Sequence, residues 1–368
     1  MSTPAKWERC IYHLGADAEN FLREYLNDDG RRILLIGGAG FDPRTTTVPT
    51  LLAEVAGART NGLFLREQRP RPDNELLKRA AENEARLREL LPRSRFEDLN
   101  IFAPDDAVVG GRTAITLVNG IDLQEFTDII VDLSALSIGV AFPIVRFFHD
   151  QSPGTGTNLH LVVVDDPATD VRIKSTSSES PTTVHGFKGG WELDAQADAA
   201  KLWMPQLSLT KKEVLDRIHS RVAPHAVCPI LPFPATVPRL ADTLIEHYGT
   251  LLQNPWQVDA RDIIYASERS PVDLYRTILR IDDARKPVFA ETGGSQIILS
   301  PVGSKALAIG ALMAALDRDF TVMYIESLNY SADFGQENEV RPREESQFVH
   351  VWLQGEAYRM PEQEALQQ

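Results

Sequence analysis

"SQIILSPVGSKALAIGALMAAL", Ser295 to Leu316, is the stretch that decides the fold reading. Ile297, Ile298 and Leu299 form a short apolar run, and Pro301 and Gly303 interrupt it. The apolar stretch from Ala306 to Leu316 then restarts in helix-forming residues. The pattern predicts a buried strand, a tight turn and a buried helix. Ser304 and Lys305 fall on the turn, where free backbone N–H groups and a full positive charge together suit an anion. A lysine in the first turn of a helix opposes the helix dipole, and an anionic partner would resolve that conflict.

The same rhythm runs along most of the chain. "RRILLIGGAGF", "NGLFLRE", "TDIIVDLSALS" and "NLHLVVVDD" read as strands in the first half. "ENFLREYLND", "VPTLLAEVAG", "DNELLKRAAENEARLRELLP" and "VAFPIVRFFHD" read as the helices between them, with Asp73 as an N-cap of the third. After Cys228, "CPILPF", "RDIIYAS", "SQIILS" and "FTVMYIES" alternate with helical segments in the same way. Near-continuous apolar strands between helices predict parallel sheets covered on both faces. The expected fold class is α/β, with two Rossmann-like halves of mostly parallel sheet covered by helices. The expected boundaries are an N-terminal domain over residues 1–166, an insertion or connector over 167–223, and a C-terminal domain over 224–368. Phe187, Trp191 and Trp203 argue that the connector is folded, since such side chains need somewhere to bury.

Charge and cysteine usage bound the function. Lys plus Arg number 38 and Asp plus Glu 52, a net charge of −14, which argues against an extended nucleic-acid surface while allowing a local basic pocket. Two cysteines, Cys10 and Cys228, are too few for a disulfide framework or a cysteine-based zinc site and fit a reducing compartment. No apolar run reaches the roughly 20 residues of a membrane helix, and "MSTPAKWERC" has no apolar signal core. A cytoplasmic protein without a membrane partner is expected. H-E-x-x-H and G-x-S-x-G do not occur, so neither a zinc hydrolase nor a nucleophile-elbow hydrolase is indicated.

Ligands of open parallel sheets bind beyond the carboxyl ends of the strands, so the residues there are the site candidates. In "IGGAGFDPR" they are Gly37, Gly38, Gly40, Asp42 and Arg44: glycines allow close backbone approach, Asp42 can orient a ribose or metal water, and Arg44 can fork onto a phosphate. The competing reading is an ordinary tight turn with Asp42 as a cap. Asp132 and Ser134 of "VDLSALS" stand at the exit of the strand that begins at Thr127. In the second half the candidates are Arg239 near a helix start, Glu268, Gly303, Ser304, Lys305 and Glu326. Gly37, Gly38, Gly40, Asp42, Arg44, Ser134, Arg239, Gly303, Ser304 and Lys305 are candidate ligand contacts, while Asp42, Asp132, Glu268 and Glu326 are candidate acids, bases or metal ligands. Neither glycine turn is a complete dinucleotide fingerprint or Walker motif.

"GGSQIILSPVGSKALAIGALMAALDRDFTVMYIES" resembles the strand, loop and helix of CRISPR-associated Rossmann-fold (CARF-like) sensor domains. Gly303, Ser304 and Lys305 match their Gly-Thr-Lys-like loop, with Ser replacing Thr, over about a tenth of the chain. The resemblance implies nucleotide sensing in prokaryotic antiviral defence. The expected function is therefore a sensor or effector for a nucleotide or other phosphorylated small molecule, with a protein partner in a defence complex. The alternatives are a metal-assisted nucleotide hydrolase or glycosidase, and a scaffold subunit of a defence complex.

Overall fold

The structure is a computed structural model that describes residues 4–189, 199–334 and 347–358; Trp191 lies outside them. In chain order its strands are β1 (Ile11–Leu14), β2 (Ile33–Gly38), β3 (Thr60–Gln68), β4 (Ser94–Asn100), β5 (Asp128–Asp132) and β6 (Asn158–Asp165). β7 (Ile173–Ser177), β8 (Thr182–Thr183), β9 (Ala200–Pro205), β10 (Ala226–Val227) and β11 (Ile230–Pro232) follow. The last are β12 (Ile264–Ala266), β13 (Ser295–Ser300), β14 (Thr321–Tyr324), β15 (Ser327–Ala332) and β16 (Gln347–Gln354).

The first sheet has the order β1-β16-β6-β5-β2-β3-β4. From β6 to β4 every pairing is parallel, and renumbered from β2 that block reads 3-2-1-4-5, a doubly wound Rossmann arrangement whose direction of winding reverses between β2 and β5. The second sheet contains β10-β9-β13-β14 in parallel, with β8 antiparallel at its edge. β11 pairs parallel with β12 and is joined to the end of β9 by a Gln206–Ile230 bridge. With β10 and β11 as two pieces of one strand, the order β12-β11/β10-β9-β13-β14 repeats the 3-2-1-4-5 pattern. Its reversal lies between β9 and β13.

Two findings differ from the expected boundaries. β9, the first strand of the second half, lies inside the expected connector, where it buries Trp203 completely. β16 leaves the expected C-terminal domain and pairs antiparallel with both β1 and β6 of the first sheet. Its Val349, Val351 and Leu353 face the core shared by both halves, so the alternation of "FVHVWLQ" is that of an inserted strand.

The helix Lys305–Arg318 explains why its sequence is apolar all round. It is wedged between the halves, and Ala306 to Ala315 are buried without interruption. One core includes Ile36, Leu161 and Val163 of the first sheet with Leu299, Leu312 and Val322 of the second half. Gly310 sits so close to the helix Pro271–Phe289 that a Cβ there would come within 2.4 Å of the Pro271 carbonyl. The N-terminus is set by Ser304, whose Oγ accepts from the Leu307 amide at 3.3 Å.

On the other face of the first sheet, side chains of β1, β16, β6 and β5 form a line of polar contacts. His13 Nδ1 lies 3.1 Å from His350 Nδ1, His350 Nε2 3.0 Å from His160 Nδ1, and His160 Nε2 3.3 Å from Asp128 Oδ1. A carboxylate can only accept, so neutral His160 carries its proton on Nε2, His350 on Nε2 and His13 on Nδ1. Phe21, Tyr25 and Trp352 pack around these rings.

Candidate functional site

A cleft of about 550 Å³ opens between the halves. The residues leaving β2 (Ala39–Asp42, Arg44) and β5 (Leu133, Ala135–Ile138) form one wall of it, together with the end of β3 and the helix Asn74–Leu90. The other wall follows β9 (Ser208, Thr210, Lys211), β13 (Pro301–Gly303, Lys305) and β14 (Ile325–Ser327). The reversal points of both sheets therefore meet in one cleft, the place where open parallel sheets bind ligands. The expected connector supplies Asp170, Ile173 and Ser175 as well as Lys211 to its lining.

The glycine turn after β2 owes its composition first to packing. A Cβ on Gly38 would come 2.8 Å from the Ala135 carbonyl, so a side chain there would push apart the exits of β2 and β5. Gly37 is in ordinary contact with Phe64, and of the three expected glycines only Gly40 both lines the cleft and has open space beside it. Asn83, on the helix Asn74–Leu90, donates to the carbonyls of Gly40 (2.8 Å) and Asp42 (3.1 Å) and pins the turn.

Asp42 caps the short helix that follows, accepting the Arg44 amide at 2.9 Å. It also takes a two-pronged contact from Arg44, Nε to Oδ1 at 2.9 Å and Nη2 to Oδ2 at 2.7 Å. Burial alone would raise its pKa, but the charge and hydrogen bonds of Arg44 outweigh burial and lower it. Arg44 pairs with Asp170 as well, at 2.8 Å, and keeps Nη1 buried without a partner.

Lys305 enters the cleft from the second half and reaches the first. Its Nζ donates to the Leu133 carbonyl at 2.9 Å and to the Ser134 carbonyl, tying the helix start to the exit of β5. Burial and the Arg44 charge lower its pKa, opposed by Asp42, Asp170 and Asp132. Gly303 fits a close approach, since a Cβ there would meet the Gln206 side chain at 3.0 Å.

At the other end of the cleft Arg69 holds Glu67 (2.7 Å) and Glu326 (2.8 Å), and so joins the two halves. It also donates to the Ser327 carbonyl and lies over the Tyr330 ring at 5.1 Å. Tyr330 is 5.6 Å from Phe41, ring centre to ring centre. Glu67 further accepts from the Ser137 amide (2.8 Å), and Glu326 from the Ser327 amide (2.9 Å) and the Tyr324 hydroxyl (3.3 Å).

Gly40, Asp42, Arg44, Gly303, Lys305 and Glu326 thus share the cleft, and seven of the expected residues stand outside its lining. Asp132 is buried and accepts the Ser134 amide at 2.9 Å; burial pushes its carboxyl up to about 6. Ser134 is fully buried and accepts the Val164 amide, and Ser304 caps its helix. Glu268 accepts the Thr236 amide at 2.6 Å, a loop-capping role. Arg239, with φ of 60°, is exposed and lies 3.4 Å from Asp242, so it is no phosphate contact of this cleft. Gly37 and Gly38 serve packing. No group of three or more His, Cys, Asp or Glu among the described residues is placed to hold a metal ion.

Sequence reasoning missed Asn83, Arg69, Asp170, Lys211 and Tyr330. Arg69 was within reach, one residue past the end of β3.

No family model matches the chain, and neither does any curated protein. Among solved structures, a deacetylase of teicoplanin biosynthesis bound to teicoplanin is 16% identical over 41% of this chain and 79% of its own, with a TM-score of 0.27. A universal stress protein from Pseudomonas aeruginosa UCBPP-PA14 is 7% identical over 81% of this chain and 94% of its own, with a TM-score of 0.22. One from Archaeoglobus fulgidus DSM 4304 is 9% identical over 79% and 94%, with a TM-score of 0.23. No helix among the described residues is long and apolar enough to cross a membrane. The chain is an α/β protein with two Rossmann-like sheets, mostly parallel and flanked by helices.

Proposed function

We propose that the cleft binds a nucleotide or another phosphorylated small molecule, and that the protein is a sensor or effector in prokaryotic antiviral defence. The observation that carries the binding reading is the meeting of two sheet-reversal points in one cleft of ligand size. The unspent hydrogen-bonding capacity there is chiefly that of cationic donors. Asp42, Glu67 and Glu326 already accept from arginines, amides or a hydroxyl on both oxygens. Arg44 keeps Nη1, and Lys305 keeps one of its three N–H groups. Phe41 and Tyr330 offer aromatic faces for a base. The defence setting rests on the resemblance of residues 293–327 to CARF-like domains.

Binding is favoured over hydrolysis because Asp42 and Glu326, the two candidate catalytic carboxylates that line the cleft, are held in ion pairs. Thermal melting of wild type and Lys305→Ala with AMP, ATP and GTP, in EDTA and in magnesium, tests the proposal. A saturable rise in Tm for wild type is expected with at least one nucleotide, recovered intact. Lys305→Ala should weaken that nucleotide by roughly 1.5–3 kcal/mol, the value of a hydrogen bond to a charged group. Nucleotides that leave the melting of wild type unchanged would refute the reading, and magnesium-dependent turnover would favour the hydrolase.

A further inference from the structure

We propose that Lys211 is a second anion contact of the cleft, so that the ligand carries two separated phosphoryl groups, one at Lys305 and the other at Lys211. The inference rests on the ligand-binding reading above and names the class of ligand within it.

Lys211 follows β9, the first strand of the second half, and lines the cleft. Its Nζ donates to the Ser175 hydroxyl at 2.5 Å. An ammonium has three N–H groups, so two are left for a ligand, and a neutral hydroxyl supplies no counter-charge. The arginines of the cleft are placed differently: Arg44 is paired with Asp42 and Asp170, Arg66 with Glu84 and Asp98, and Arg69 with Glu67 and Glu326. Lys211 and Lys305 are the lining cations that form no ion pair among the described residues.

The charge of Glu326 acts on Lys211, yet the Glu326 oxygens are already taken by Arg69, the Ser327 amide and Tyr324. Burial also lowers the pKa of Lys211, the expected effect on a desolvated amine. The two lysines leave different strands, β9 and β13. They approach the cleft from separate points, one bound to the Ser175 hydroxyl and the other to carbonyls of the β5 exit. A single phosphate at Lys305 leaves Lys211 unmatched; a nucleoside with phosphates at both ends satisfies each.

The test is equilibrium binding of adenosine 3′,5′-bisphosphate, 5′-AMP and 3′-AMP, and of the three guanosine counterparts, to wild type, Lys211→Met, Lys211→Arg and Ser175→Ala. Wild type should bind the bisphosphate of at least one base tenfold or more tighter than either monophosphate. Lys211→Met should lose that preference while keeping 5′-monophosphate affinity within about threefold. Lys211→Arg should keep most of the preference, and Ser175→Ala, which leaves the charge in place, should keep it too. A wild type that binds mono- and bisphosphates alike would overturn the second contact and leave the site reading standing. So would a Lys211→Met protein that keeps the preference. A wild type that binds none of the six would overturn both. Should Lys211→Met fail to fold, Lys211→Gln carries the same comparison.

Discussion

Asp165 is an acid held where ionisation is costly, and replacing it by Asn should stabilise the protein only where the acid is charged. It ends β6 at 3% exposure, and its Oδ1 is buried without a hydrogen-bond partner. Burial, with the charges of Asp170 and Glu268 added, pushes its carboxyl up to about 7, against opposing effects of Arg44 and Arg269. A group whose folded pKa is raised binds its proton more tightly in the fold. Its contribution to stability is complete below the unfolded value of 3.8 and is lost as pH rises through about 7. At roughly 1.4 kcal/mol per pH unit the ceiling of that loss is about 4 kcal/mol, and partial relaxation brings the expected value to about 2–4 kcal/mol. Asp165→Asn, isosteric with the protonated acid, should exceed wild type by no more than about 1 kcal/mol at pH 4.5 and by that larger amount at pH 8.5. Urea unfolding of both proteins at the two pH values reads the difference directly, with the other titrating groups cancelling. A difference independent of pH, or an Asn variant less stable at pH 8.5, would refute the reasoning.

The histidine line has the opposite sign. His350 has a pKa well below 6.5, because burial and then His160 and His13 oppose its charge, with Asp128 at the far end of the line. The unfolded chain therefore takes up a proton that the fold refuses, and stability falls as pH drops below about 6.5. His350→Gln should flatten the dependence of Tm on pH between 5 and 6.5, and an unchanged slope would count against the buried neutral ring. Arg69→Met should cost about 3–5 kcal/mol in urea unfolding, because it leaves the buried Glu326 and the partly buried Glu67 without the cation they share. Glu326→Gln in that background should recover part of the loss; a cost below about 1 kcal/mol would show that Arg69 is no clasp.

The strands β2, β5, β6, β13 and β14 were legible because each is buried on both faces, and its apolar run stands out between turn residues. β9 was not, since "AKLWMP" is short and follows a stretch without a period. The return of β16 to the first sheet depends on a pairing more than 180 residues away in sequence, with His350 opposite Val162, and no local pattern encodes it. The site was legible as strand exits. Whether a given exit residue meets a ligand or the protein itself was not, because that depends on its neighbours in space. Asp42 and Arg44 found each other two residues apart, while Glu326 found Arg69 across the cleft. Lys211 falls within the expected connector, and its place in the cleft follows from β9 being the first strand of the second half. Arg239 does stand at a helix start, as expected, but its side chain is exposed beside Asp242 and meets no part of the cleft.

The central claim is that the cleft between the two sheet-reversal points is the ligand site, and photolabelling with 8-azido-adenine and 8-azido-guanine nucleotides followed by peptide mapping tests it most directly. The account predicts labelling that saturates, is displaced by the unmodified nucleotide, and falls on peptides containing residues 39–44, 65–84 or 324–330, with strong loss in Lys305→Ala. Labelling that does not saturate, or that saturates only on peptides outside the cleft, would contradict it.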